Sequence, residues 1–415
     1  MENQTTESSS PSLNLTPFQY HIKLRDHFKQ QKKTWDWFAL KATKEQQIDE
    51  YKKTLLKNTY RLDRSSHEKL YLLADECCKV LAIDANVILY QENNSTQLNA
   101  GISILDKEAH IVFSGSVLNL LNDEEMKCLL AHELSHYLFY KTDNEEFEIT
   151  NRLVVSLAND NRSENAIIQT ARIYQLYMEL FCDAGSLLVS KDHKTVIQML
   201  VKLDTGLSEV NAESYLNQAK EILSNVDEGT VNDTHPESYI RSIALLMQSE
   251  NDKDYFEHVQ KLIEGSLDID KLDIFKQTEM QEVTKNLLQL IVKPKWMATS
   301  TVLNLCDQYF QDFVRTKDDV KIEDFAKNIE SSKESVKSYL CYVLLDFSKV
   351  DRELENMPLA YTSELAEVIG IKDIYEKIIR KEMKLTVRDF KALLDSAMAD
   401  LQKQNESRED SIFQD

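Results

Sequence analysis

Ala131-His132-Glu133-Leu134-Ser135-His136 is the stretch on which the reading of this chain turns. It contains H-E-x-x-H inside a segment with helical signals on both sides. Asn122 is a good N-cap residue, and Asp123, Glu124 and Glu125 suit the first turn of a helix. Cys128, Leu129, Leu130, Leu134 and Leu138 give the segment apolar cover. Two histidines four residues apart lie one above the other on one helix face. That spacing lets both imidazoles reach one tetrahedral zinc ion. Glu133 projects beside such a metal rather than onto it, where it can hold a water and take its proton. Two unrelated histidines on a surface helix would be expected in polar surroundings, and these surroundings are apolar.

A catalytic zinc needs a third protein ligand and an open fourth position. Downstream, Ala171–Val189 reads as an apolar helix in which Glu179 and Asp183 are two of the few polar residues. Carboxylates four apart share a face, and burying either one unpaired is costly. A metal centre gives both a role: Glu179 as third ligand, Asp183 as acceptor for the free nitrogen of a ligand histidine or a nearby base. The bland alternative is a carboxylate pair on the solvated edge of the helix. Cys182 is a rival ligand, but it lies between the two carboxylates on a different face and reads as a core residue. A third element is Thr234-His235-Pro236, followed by Arg241. Pro236 suits the first turn of a helix with Ile240, Ile243, Ala244 and Met247 on its apolar face. His235 then stands at the helix start, where it can donate to the oxyanion of a tetrahedral intermediate. Taken alone, a capping or core histidine is the default.

Around this centre, strands are expected at Asn86–Tyr90, Ala100–Leu105 and Ala109–Ser114, the last two joined through Asp106-Lys107-Glu108. Elsewhere the periodicity is helical. The 415 residues include only 7 Gly and 5 Pro, too few breakers for a turn-dense all-β protein. Residues 1–16 read as a mobile tail and 17–64 as a helical extension anchored by Phe18, Ile22, Leu24, Phe28, Trp35, Trp37, Phe38 and Leu40. Its dense lysines read as the solvated face of a hairpin docking on the acidic remainder, against the alternative of a basic patch for a partner. Ser65 or Ser66 can cap a further helix running to about Leu81. Polar residues 249–254 mark a break, which gives a domain carrying the motifs at 65–250 and an all-α region at 251–415.

The net charge of −21 repels phosphate backbones and anionic lipid, so nucleic acid is a poor expectation. No apolar run is long enough to span a membrane, and the first residues lack the features of a secretion signal. Six scattered cysteines without a C-x-x-C pair suit reduced, mostly buried thiols in a cytoplasmic protein.

The three motifs, in this order, resemble the gluzincin zinc peptidases. The likeness is nearest to the branch of the type-1 CAAX prenyl endopeptidases and the bacterial heat-shock membrane protease. Those proteins carry H-E-x-x-H, then E-x-x-x-D, then T-H-P with Arg six residues after the His. The pattern falls here on His132, Glu133 and His136, then Glu179 and Asp183, then His235 and Arg241. The resemblance covers about residues 65–250 and implies a zincin-like core with a small sheet, hence an α+β fold that is predominantly α-helical. It also implies one Zn2+ per chain and a substrate edge strand starting at Asn99-Ala100-Gly101. Gly101 replaces the aromatic residue common in the family, which would loosen that strand. The insert between His136 and Glu179 is long and charged. Without membrane helices, a soluble bacterial cytoplasmic member is implied. Tyr339–Asp346 and Val350–Glu353 resemble the tellurite-resistance B-like helical domains.

The expected function is a zinc-dependent endopeptidase that acts on peptides or unfolded protein, with Glu133 as general base and His235 as oxyanion donor. The alternative is a zinc-stabilised, latent or inactive scaffold whose helical C-terminal region binds a protein partner.

Overall fold

A computed structural model describes residues 15–40, 42–105, 107–225, 229–311, 313–316 and 320–412, with side chains undescribed at 42–49 and from 404 onward. The predicted tail falls almost wholly outside these residues, as does Asp106 of the hairpin loop. The chain divides into two compact units, Met1–Gly265 and Ser266–Asp415.

The first unit is mainly helical. Three helices open it: α1 (Gln19–Gln30), α2 (Lys32–Ala39) and α3 (Ala42–Asn58). Leu24 and Phe28 of α1 are buried as the apolar pattern requires, but α2 buries none of its residues and Trp37 is 63% exposed. Charge pairing supplies part of the docking: Arg25 binds Asp143 at 2.7 Å and Lys29 binds Glu146 at 2.6 Å. After the short strand β1 (Thr59–Arg61) comes α4 (Glu68–Val80). This helix starts later than Ser65 or Ser66 would place it. Those residues instead donate their backbone N–H groups to the Asp63 carboxylate in a turn.

Strands β2 (Asn86–Glu92), β3 (Asn99–Leu105) and β4 (Glu108–Ser114) follow, close to the expected bounds. The sheet order is β1-β2-β4-β3. β2 and β4 are parallel, while β3 and β4 form an antiparallel hairpin with Leu105 opposite Glu108. β1 is the strand the sequence did not announce; its three residues pair antiparallel with β2. β3 is an edge strand. Gly101 keeps register opposite Val112. Leu89, Ile111 and Phe113 on the inner face are fully buried in the core of this unit.

A short helix α5 (Val117–Leu120) leads to α6 (Asp123–Lys141), which carries H-E-x-x-H. Its start is a reciprocal capping box. Asn122 accepts from the Glu125 N–H at 3.0 Å, and the Glu125 carboxylate accepts from the Asn122 N–H at 2.9 Å. Glu125 is also paired with buried Lys202. Helices α7 (Glu146–Ala158), α8 (Asn165–Ser190), α9 (His193–Thr205), α10 (Ala212–Asn225), α11 (Ser238–Ser249) and α12 (Tyr255–Glu264) complete the unit. α12 contacts α8 and α11, and Leu262 accepts a backbone hydrogen bond from Thr230, so it belongs with the first unit. The polar run at 249–254 is the turn that leads into it. α8 crosses α6 closely at Gly185, where any Cβ would strike Ser135. The second unit is all-helical, from Ile274–Ile291 to Val387–Ile412, around a core of Leu287, Leu340, Leu344, Phe347 and Ile379. Among the described residues, no helix is long and apolar enough to cross a membrane.

Candidate metal centre

α6 and α8 run against each other, and their facing turns bring the motif residues together. His132, Glu133, Glu179 and Asp183 are all buried. The two histidine rings stand nearly perpendicular, with centroids 5.2 Å apart. Glu179 lies across from both: Oε2 is 3.2 Å from His132 Nε2 and Oε1 is 3.6 Å from His136 Nε2. The 3.2 Å contact lacks hydrogen-bond alignment, and Glu179 Oε2 is buried with no hydrogen-bond partner. A buried carboxylate oxygen in that condition is costly unless a cation meets it.

Asp183 sits behind His132. It accepts from His132 Nδ1 at 3.1 Å. It also takes a two-pronged contact from Arg241, with Nε at 2.7 Å and Nη2 at 2.6 Å. An ionised carboxylate only accepts, so Nδ1 carries a proton, and Nε2, which faces Glu179, is the nitrogen left for a metal to take. Arg241 reaches this position from α11.

Electrostatics follow from burial and neighbours. Burial would lower His132, yet the carboxylates of Asp183 and Glu179 push it up to about 10. Burial would raise Glu179, but the adjacent histidines hold it well below the carboxylate range. Asp183 is likewise held low against its burial by Arg241. His136 has no such carboxylate behind it, and burial takes it down to about 4. Burial, helped by Glu179, raises Glu133 to about 7.

His235 comes from the loop before α11. Its Nε2 lies 3.6 Å from Glu179 Oε2, and its side chain is 53% exposed. The helix does not start at Pro236; it begins at Ser238, with Glu237 at the N-cap. The Glu237 carboxylate instead closes the loop, accepting from Val231 N–H, Asn232 N–H and Thr230 Oγ1. Arg172 of α8 donates to the carbonyls of Thr230 and Asn232. Sequence reasoning missed this clasp because Glu237 and Arg172 carry no motif. It also missed Tyr140, which stands one turn beyond His136 and receives a hydrogen bond from Asn151 at 3.0 Å. The i, i+4, i+8 spacing of His132, His136 and Tyr140 was the available signal.

Cys182 requires a correction. It is fully buried, as a core residue should be. Its sulfur nevertheless shares the histidines' face: among the described residues, ligand atoms of His132, His136 and Cys182 lie within 4.8 Å of one another. Burial and the nearby carboxylates push its thiol well above the usual range.

His132, Glu133, His136, Glu179 and His235 line a cleft of about 340 Å³, one wall of which is the stretch Asn99-Ala100-Gly101-Ile102 of β3. The donor set of two imidazole nitrogens and a buried carboxylate, one oxygen of which has no hydrogen-bond partner, fits zinc.

An H-E-x-x-H helix with buried carboxylates facing it carries the residue types that a metallopeptidase uses. Comparison with known proteins agrees at that level. A model of the SprT-like family matches residues 68–150, which include the H-E-x-x-H helix. The chain is also 29% identical over 160 residues to the plastoglobule-localized metallopeptidase 48, chloroplastic, of Arabidopsis thaliana. That match takes in 36% of this chain and 45% of the relative, so the chain spans less than half of the relative's length. No solved structure matches. Together the likenesses support a zincin-like metalloprotease family, and they do not select the prenyl-endopeptidase or heat-shock branch.

Proposed function

We propose that this chain is a zinc-dependent endopeptidase whose metal is held by His132, His136 and Glu179. The observation that carries the reading is the buried Glu179 carboxylate, which faces both motif imidazoles beside Glu133 and has one oxygen without a hydrogen-bond partner, in a cleft bounded by an open strand edge. Bound zinc supplies a Lewis acid that polarises a carbonyl and acidifies water. The chain's own groups do the rest. A substrate strand pairs with the free edge of β3 near Asn99, Ala100 and Gly101, which directs its scissile carbonyl into the cleft. Glu133 takes the proton from the attacking water and returns it to the leaving amine. A carboxyl raised to about 7 is suited to both transfers at neutral pH. His235, half-exposed at the cleft wall and steadied by Thr234, donates to the developing oxyanion. Asp183 and Arg241 position His132.

The test is Glu133→Gln. The variant should keep its fold and its zinc, because Gln is near-isosteric and Glu133 is not a ligand, and it should lose nearly all turnover of an unstructured protein such as casein. Wild-type turnover in a zinc-loaded Glu133→Gln protein would remove Glu133 from the mechanism.

A further inference from the structure

β3 is flanked by two cavities that share Asn99, Ala100, Gly101 and Ile102. One is the metal cleft. The other, about 370 Å³, lies between α3 and the outer face of the sheet. Successive residues of a strand face opposite ways. Ala100, Ile102 and Ile104 pack on the core, so Asn99, Gly101 and Ser103 face α3. The helix is fastened there by a hydrogen bond between the Tyr51 hydroxyl and Ser103 Oγ, and by Lys52 on Glu108 at 2.5 Å.

Two features describe what this groove takes. An added Cβ at Gly101 would meet nothing within 4 Å, and the Gly101 backbone is not in the left-handed region. Glycine is therefore not demanded by backbone geometry; its effect is to leave the groove open. Among the described lining residues, Glu92 is the carboxylate and there is no lysine or arginine. Glu92 is partly buried, and one of its oxygens accepts from Ser114 Oγ at 2.5 Å.

A peptide strand added to β3 sends alternate side chains to the two faces. We infer that the α3 groove is a specificity subsite for a lysine or arginine side chain of the substrate, which enters over Gly101 and points toward the Glu92 carboxylate on the far side of the groove. The net charge of −21 favours the approach of such segments. The inference rests on the peptidase reading, since it takes the substrate to lie along β3.

The test uses the full chain carrying Glu133→Gln, loaded with zinc. It is titrated by fluorescence polarisation with blocked alanine-based heptapeptides that hold lysine, norleucine or glutamate at one scanned position. At one position lysine should bind about tenfold tighter than norleucine, and glutamate weakest. Glu92→Gln in the same background should abolish that advantage. Gly101→Val, which fills the groove with a strand-compatible side chain, should abolish it too. If Gly101→Val fails to fold, Glu92→Gln decides alone. An absent lysine preference, or one that survives Glu92→Gln, overturns the subsite. Digestion of the same peptides by the wild-type chain separates the two readings. Cleavage without lysine preference keeps the peptidase and sinks the subsite. Lysine-dependent binding without cleavage keeps the subsite and removes the peptidase.

Discussion

Asp183→Asn separates the structural and metal-binding roles of the carboxylate behind His132. In the wild type, Oδ1 accepts from both His132 Nδ1 and Arg241 Nη2, and Oδ2 accepts from Arg241 Nε. An amide cannot satisfy that arrangement. If its oxygen takes the Oδ1 position, its NH2 meets the Arg241 Nε–H; if it is flipped, the NH2 meets both other donors. Arg241 is left as a buried cation, with its nearest alternative carboxylate oxygen, Glu179 Oε2, 3.8 Å from Nη2. Removing one partner of a buried pair costs about 3–5 kcal/mol. The Glu179 contact favours the lower end. At about 2–4 °C per kcal/mol for a unit of this size, the melting transition of Met1–Gly265 should fall on the order of 10 °C.

The same substitution frees the His132 ring to turn, which should weaken zinc binding by about 10–100-fold. Calorimetric melting of the chelated protein reads the first effect, and competition with a chromophoric zinc chelator reads the second. The pair Asp183→Leu/Arg241→Leu sharpens the test, because it removes both charges. It should recover much of the lost stability while zinc binding stays weak. Wild-type melting and wild-type zinc affinity in Asp183→Asn would refute the positioning role.

Three further outcomes are expected. Glu179→Gln should lose most of its zinc while Cys182→Ser keeps it; metal analysis showing the reverse would make Cys182 the third ligand. His235→Phe should lower kcat about 100-fold with KM, zinc content and melting little changed, and loss of zinc would make it a ligand instead. His21 is buried against Phe139 and Tyr174, donates to the Tyr174 carbonyl at 3.0 Å, and is pushed down to about 3 by burial. Its unfolded form binds a proton near pH 6.5, so folding stability falls as pH drops below that value. Between pH 7 and 5, urea unfolding should show wild type losing about 2 kcal/mol more than His21→Gln; equal losses would show that His21 is not buried as a neutral ring.

The centre was legible in the sequence as far as single helices determine it. His132, Glu133 and His136 depend on one helical period, and so do Glu179 and Asp183. The capped start at Asn122 fixes where the first of these turns lies. What the sequence could not show is how the two helices meet. Gly185 is the residue that permits the approach, since a side chain there would collide with Ser135. One glycine in an apolar helix gives no warning of that role. The approach has a chemical consequence too: it carries the Cys182 sulfur onto the histidine face, which spacing along α8 alone placed elsewhere.

The His-Pro element illustrates the same limit from the other side. Pro236 is a fair signal for a helix start, but the backbone before Ser238 is held by a carboxylate from one side and a guanidinium from another. Glu237 gathers the N–H groups of the loop, and Arg172, distant in sequence, gathers its carbonyls. A loop whose donors and acceptors are met by side chains does not need to enter the helix early. The consequence is functional: His235 stays outside the helix, half-exposed at the cleft wall and 3.6 Å from Glu179, rather than stacked on the first turn of α11. A histidine so placed can turn toward a substrate oxygen, which a helix-bound capping residue could not do.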